Sequence, residues 1–319
     1  MPKIYYNIKK YTGNYVEKNK TSEQELICKK SDLYRAIITV GNPCLFSFKK
    51  IKENGLYREL SSSIFQKVDL VKVNIKSENN KFCLHQIFYT YVSDQKRLVS
   101  YNLGMAMAKL YADRIFKIHN LIHVESLTKG GAITFTETDN HREPDLVGHD
   151  EDGLWHVFEA KGMSYNQLNS KVADAKEQAQ KISMIHGQKP ETNSVCATYF
   201  GYKKILSRIE DPEINGKKEI SIDIEKYYDN YYAPFTALKE DTNLKKLRIN
   251  NIDFSSFDLH TEKCDLTIGL NSEIIELLME KKYGQITEFY KNKKLDIYED
   301  NISVGLDGYL VQNNILDDI

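Results

Sequence analysis

The chain is 319 residues long, 41% hydrophobic and 28% charged, and its 44 basic and 45 acidic side chains leave a net charge of -1. That length suits one elaborated domain or two modest ones with a sizeable core, and the even charge excludes a global field that would gather nucleic acid by electrostatics alone. No run of about 18 apolar residues exists, and the start, MPKIYYNIKKYTG, lacks an apolar signal-peptide core, so a cytoplasmic protein without membrane insertion is expected.

The five cysteines, Cys28, Cys44, Cys83, Cys196 and Cys264, are scattered and never in C-x-x-C spacing. A disulfide framework or a thiolate zinc site is therefore not expected, and each cysteine reads as a small buried apolar residue. Four local basic runs, FKKIK at 48–52, GYKKILSR at 201–208, LKKLR at 244–248 and YKNKK at 290–294, read as solvated faces. The 21 tyrosines accompany heavy use of Lys, Asn and Ile, as in an A/T-rich genome, and carry little weight as base-stacking platforms.

In chain order, residues 1–98 predict an N-terminal α+β region. Its strand candidates are RAIITV, LFSF and VDLVKVNI, and TSEQELICKKSDLYRAI predicts a helix opening at Thr21. A second region spans 99–200. NLGMAMAKLYADRIFKI, 102–118, places Leu103, Met107, Leu110, Ile115 and Ile118 at helical spacing. LIHVESL, 121–127, predicts a strand, and TKGGAITF a Gly-Gly turn followed by alternating Ile133 and Phe135.

PDLVGH predicts a strand opening at Pro144, where a proline need not donate to the ladder. HDEDG turns the chain, and LWHVFEAKG returns with Leu154, His156 and Phe158 on one side and Trp155, Val157, Glu159 and Lys161 on the other. A helix is expected over 165–187, with the stripe Leu168, Val172, Ala175, Ala179, Ile182 and Ile185 and a stop at Gly187. SVCATYF, 194–200, predicts a buried strand. The remaining 201–319 read as a C-terminal α+β region packed on the core: a tyrosine-rich EKYYDNYYAPF, a strand CDLTIGL, one amphipathic helix from Asn271 to about Lys291, and strand-like ISVGLDGYLVQ.

Asp145 at the start of one strand and Glu159 near the end of its hairpin partner should be neighbours across the sheet. Two carboxylates on one cation suit a hard divalent ion such as Mg²⁺, which keeps several waters, and the Ala160 backbone carbonyl is a further candidate ligand. Lys161, two residues beyond Glu159, falls on the same strand face and would set an ammonium beside the cation. The bare [DE]-x-K pattern recurs at Asp94, Asp174 and Glu280. Only Glu159-Ala160-Lys161 closely follows the chain's single Pro-Asp pair on a predicted strand. No phosphate-binding glycine loop, H-E-x-x-H or G-x-S-x-G stands beside it.

Residues 102–200 resemble the catalytic core of the PD-(D/E)xK nuclease superfamily, through Pro144-Asp145, Glu159-Ala160-Lys161 and an αβββαβ order. The resemblance implies an α/β (α+β) fold: a restriction-endonuclease-like core on a mixed central sheet, with N- and C-terminal α+β elaborations. It implies that Asp145 and Glu159 bind Mg²⁺ or Mn²⁺ and that Lys161 assists the water that cuts a phosphodiester bond. Many members carry a glutamate on the preceding helix; this one offers only Asp113 there, and Glu125 on the following strand is the accessory candidate. Some place a glutamine in the helix after E-x-K, for which Gln178 and Gln180 are the candidates and Gln178 is carried forward, although the tyrosine that goes with it is missing. His141, His149 and His156 are read as hairpin-surface or packing residues. The expectation is a Mg²⁺-dependent endonuclease of anti-phage defence or restriction, with DNA favoured over RNA. It would work beside a helicase or ATPase subunit or as a homodimer. The competing expectation is a catalytically silent nuclease-fold subunit that binds nucleic acid or acts as a scaffold.

Overall fold

The structure is a computed structural model that describes residues 1–40, 55, 57–136, 143–213, 218–239, 244–261, 264–292 and 301–313. It begins with strands β1 (Lys3–Lys9) and β2 (Lys20–Ile27), which pair antiparallel. The helix expected from Thr21 starts only at Lys30, as α1 (Lys30–Thr39). Arg35 to Thr39, expected as a strand from its β-branched residues, is thus helical. The Asp32 carboxylate accepts from the Lys29 N–H at 2.8 Å and caps the first turn, while Ile37 and Ile38 are buried. Burial and capping outweigh the few tenths of a kcal/mol that β-branching costs a helix.

VDLVKVNI is likewise almost wholly the end of a helix, α2 (Tyr57–Asn74), whose Leu60, Ile64, Val68 and Val71 are buried at helical spacing. LFSF lies outside the described residues. Strands β3 (Ile75–Glu78) and β4 (Lys81–Leu84) form a hairpin, and α3 (Ser93–Phe116) is the long predicted helix, begun earlier and ended by Lys117 in left-handed backbone. LIHVESL is a strand for only two residues, β5 (Ile122–His123), before the helical turn α4 (Val124–Lys129).

The predicted strands follow as β6 (Ile133–Phe135), β7 (Leu146–His149) and β8 (Trp155–Met163). Helix α5 (Leu168–Ala179) is shorter than the expected 165–187, because Ile182 and Ile185 belong to a strand, β9 (Ile182–Ile185). The Asn193 amide donates to the carbonyls of Ala179 at 2.7 Å and Ile182 at 2.9 Å, fixing the break between them. Strands β10 (Thr192–Phe200), β11 (Ile205–Glu210) and β12 (Lys218–Ile222) lead to α6 (Ile224–Leu238). This last helix is the tyrosine-rich stretch: Tyr227, Tyr228, Tyr231 and Tyr232 are all buried core.

Strands β13 (Lys245–Ile249), β14 (Ile252–Thr261) and β15 (Cys264–Asn271) precede two helices, α7 (Ser272–Met279) and α8 (Tyr283–Asn292), where one was expected. Lys281 in left-handed backbone makes the break. The hairpin of β16 (Ile302–Val304) and β17 (Tyr309–Asn313) completes the described chain.

The architecture is mixed α/β. A nine-stranded mixed sheet runs β3-β4-β1-β11-β10-β8-β7-β5, with β2 paired to β1, and so draws strands from each of the three stretches 1–98, 99–200 and 201–319. Smaller sheets run β6-β12-β9 and β13-β14-β15-β17-β16. On one face of β8, Phe158 and Ala160 join the main core with Leu103 and Met107 of α3. On the other, Val195 and Ala197 of β10 pack against Leu168, Val172 and Ala175 of α5.

Helix α3 approaches β8 closely at two glycines. A Cβ on Gly162 would lie 1.7 Å from the Ser100 carbonyl oxygen, and one on Gly104 would lie 2.7 Å from the Gly162 nitrogen. Gly162→Ala must push helix and strand apart and is expected to cost about 3 kcal/mol, read as a lower urea midpoint at unchanged slope. The damage falls beside Lys161, so the neighbouring site should loosen with it.

Candidate active site

Strands β7 and β8 are antiparallel with Leu146 opposite Phe158. The next step of that register brings Asp145 opposite Glu159, where their groups interlock. The Asp145 N–H donates to Glu159 Oε2 at 3.1 Å, and the Ala160 N–H donates to Asp145 Oδ2 at 3.0 Å. N–H and C=O of a strand residue point to the same edge, so the Ala160 carbonyl also faces the Asp145 side.

On the other edge of β8, β10 is parallel, with Val195 beside Glu159 and Ala197 beside Lys161. The period of two then sets Glu159 and Lys161 on the face covered by α5. The Lys161 ammonium hydrogen-bonds Glu159 Oε1 and donates to Gln178 Oε1 at 2.8 Å. Asp145, Glu159, Lys161 and Gln178 are thus brought to one place by three elements. The Gln178 Nε2 is buried and has no hydrogen-bond partner among the described residues.

Glu159 is fully buried. Burial, reinforced by the neighbouring Asp145 carboxylate, pushes its carboxyl up to about 8, against the opposing pull of Lys161. Two neighbouring carboxyls, one of them fully buried, make a setting that favours a proton or a cation. The donor set of two carboxylates with a backbone carbonyl is hard oxygen, and Mg²⁺ needs only one or two carboxylates besides water and phosphate oxygens, so these residues fit such an ion. No cluster of three or more His, Cys, Asp or Glu side chains arranged for a metal occurs among the described residues.

Glu125 is on the helical turn α4 and not on a strand as expected. Its side chain is 73% exposed and pairs with Lys129 at 2.5 Å. It nevertheless borders a cleft of about 440 Å³ that Asp145 also lines, together with Tyr101, His123, Phe135 and Glu143. Sequence reasoning had not singled out these four as site residues. Glu143 stands next to the Pro-Asp pair and was legible there, whereas Tyr101 and His123 come from separate elements with no local signal. Asp113 points away from the cleft region into a buried ion network, pairing with Arg35 at 2.6 Å.

Among the histidines, His149 and His156 are packing residues, as expected, and His141 lies outside the described residues. His156 bonds Thr192 at 3.0 Å and Asp150 at 3.2 Å. The His149 ring accepts from or donates to the Tyr228 hydroxyl at 2.8 Å, and burial pulls its pKa down to about 4. It is therefore neutral in the folded protein, while the unfolded chain takes up a proton below about 6.5. Stability carried by neutral His149 is present above 6.5 and is lost as pH falls towards 4. His149→Gln, which keeps a donor and an acceptor but cannot charge, should gain roughly 3 kcal/mol on the wild type between pH 7 and pH 4, in urea unfolding at both values.

The basic runs are largely neutralised locally: Lys204 pairs with Glu23 at 2.6 Å, Arg208 with Glu210, Lys245 with Asp258, and Arg248 with Asp253 at 3.5 Å. FKKIK lies outside the described residues. Cys28, Cys83 and Cys196 are free and buried. No helix among the described residues is long and apolar enough to cross a membrane. Comparison of the chain with protein-family models, curated proteins and solved structures finds no match.

Proposed function

We propose that the protein is a Mg²⁺- or Mn²⁺-dependent nuclease, with Asp145 and Glu159 as ligands and Lys161 beside the attacking water. The observation that carries this reading is the meeting of Asp145, Glu159 and Lys161 across β7 and β8, with Gln178 of α5 on the lysine. The succession α3, β5, β7, β8, α5, β10 supports a restriction-endonuclease-like αβββαβ core, since β5, β7 and β8 are antiparallel neighbours and β10 joins β8 in parallel.

In this reading a bound divalent ion supplies Lewis-acid polarisation of the scissile phosphate and a more acidic water. The chain's own groups do the rest. Asp145 and Glu159 hold the negative charge that attracts the ion, and the interlocked hydrogen bonds at 3.1 Å and 3.0 Å keep both carboxylates in register. Lys161, steadied by Gln178 Oε1, orients the water and offsets charge growing on the phosphate. DNA is the favoured substrate, with anti-phage defence or restriction as the setting and a helicase or ATPase subunit or a second copy as the partner. These accompany the resemblance.

One observation favours a second reading, a catalytically silent nucleic-acid-binding or scaffold subunit: the Asp145 and Glu159 oxygens already accept hydrogen bonds from within the site. Incubation of the full chain with plasmid DNA and structured RNA, with Mg²⁺, with Mn²⁺ and with chelator, separates the two. Cleavage in either metal and none in chelator is expected; intact substrate under every condition, with and without a partner subunit, leaves the silent reading.

A further inference from the structure

The cleft beside Asp145 differs from a phosphate-binding groove in its lining. Its walls carry three flat rings, Tyr101 from α3, His123 from β5 and Phe135 from β6, and its polar rim carries the carboxyls of Glu125, Glu143 and Asp145. Two lysines near this area pair with its acids: Lys129 with Glu125 at 2.5 Å and Lys218 with Glu143. Lys218 also lies over the Phe135 ring, 4.8 Å from its centre.

The aromatic walls attract flat, neutral rings. At about 440 Å³ the cleft falls within the roughly 300–1,000 Å³ of small-ligand pockets. A nucleobase has this chemistry: a π-face for the rings, and ring N–H or amino hydrogens for the carboxylates. Tyr101 is 40% exposed, so its ring is open to a ligand from solvent.

We infer that this cleft receives an unpaired base of the nucleic acid whose backbone lies at Asp145, so that the protein acts on single-stranded or locally opened substrate. The inference rests on the nuclease reading for the position of the backbone, but the cleft's preference for an unpaired base can be measured without cleavage. A base inside a duplex cannot reach a recess of this kind unless it leaves the stack, at a cost of stacking and pairing that single strands do not meet.

The test is fluorescence anisotropy of the full chain in chelator, with labelled 12-mer single strands of DNA and of RNA and the corresponding blunt DNA duplex. The single strands should bind at least about tenfold more tightly than the duplex. Tyr101→Ala should weaken single-strand binding about tenfold and leave duplex binding unchanged, while Tyr101→Phe retains it. Tyr101 is partly exposed, so the variant should fold, which circular dichroism verifies. Duplex bound as tightly as single strands, or single-strand binding indifferent to Tyr101→Ala, overturns the inference. The same oligonucleotides in Mg²⁺ separate it from the nuclease reading. Cleavage that ignores strandedness and Tyr101 sinks the cleft alone; Tyr101-dependent binding without cleavage in any metal sinks the nuclease and keeps the cleft. The DNA and RNA arms report which backbone is preferred.

Discussion

Lys161→Ala is expected to lower metal-dependent cleavage by about 10²–10⁴-fold while the fold survives. The lysine is partly exposed and packs at the edge of the site, so little apolar contact goes with it. Its removal takes away the cation that hydrogen-bonds Glu159. Burial and Asp145 already push that acid up to about 8 against the pull of Lys161, and losing that pull raises it further, so it keeps its proton at neutral pH. A neutral buried acid costs far less than an unpaired charge, so the melting temperature should move by only a few degrees. Glu159→Gln preserves the acceptor for the Asp145 N–H, removes a ligand charge, and should abolish cleavage to a similar extent. Single-turnover assays over a range of Mg²⁺ concentrations distinguish them: excess metal partly rescues Glu159→Gln and leaves Lys161→Ala slow. Undiminished cleavage in both variants would place the chemistry elsewhere.

The largest effect on stability is expected at Arg35. This side chain is buried between Asp113 at 2.6 Å and Asp307 at 3.4 Å, and it also donates to Ser303 at 3.0 Å. Lys109 lies 3.4 Å from Asp307, and the Tyr231 hydroxyl donates to the same carboxylate at 2.5 Å. Burial alone would raise the Asp113 carboxyl; Arg35 and His119 outweigh it and hold that carboxyl well below its usual range. Arg35→Met leaves a charge-starved pair of acids and should cost about 3–5 kcal/mol in urea unfolding. Adding Asp113→Asn to the same chain should recover part of that loss, because the uncompensated charge is then gone. A loss below 1 kcal/mol for Arg35→Met would mean that water reaches the network.

The parts of the site that could be read from sequence are those whose information is local. Asp145, Glu159 and Lys161 lie within one hairpin, where a turn signal and a period of two fix both the neighbour and the face. Gln178 falls one helix later and was legible only through the resemblance. The cleft was not, because Tyr101, His123, Phe135 and Lys218 come from four elements joined by packing alone. Local propensity also misled where tertiary contacts overrule it. Ile37 and Ile38 favour a strand in isolation, yet Arg35 in the same segment needs the helix to reach both Asp113 and Ser303. Tyr227, Tyr228, Tyr231 and Tyr232 looked polar in composition, and their rings are buried while their hydroxyls bind inside the core, as with Tyr232 to the Asp307 carbonyl at 2.9 Å.

The Arg35 network also orders events in time. Arg35 and Lys109 emerge from the ribosome long before Asp307, the acid that balances the second of their charges in the interior. Until that residue is made, closing α1 onto α3 would trap excess positive charge away from water. Helix α3 is the support on which the Glu159 and Lys161 strand rests, so a half-made chain should lack a rigid site until its C-terminal hairpin has been synthesised.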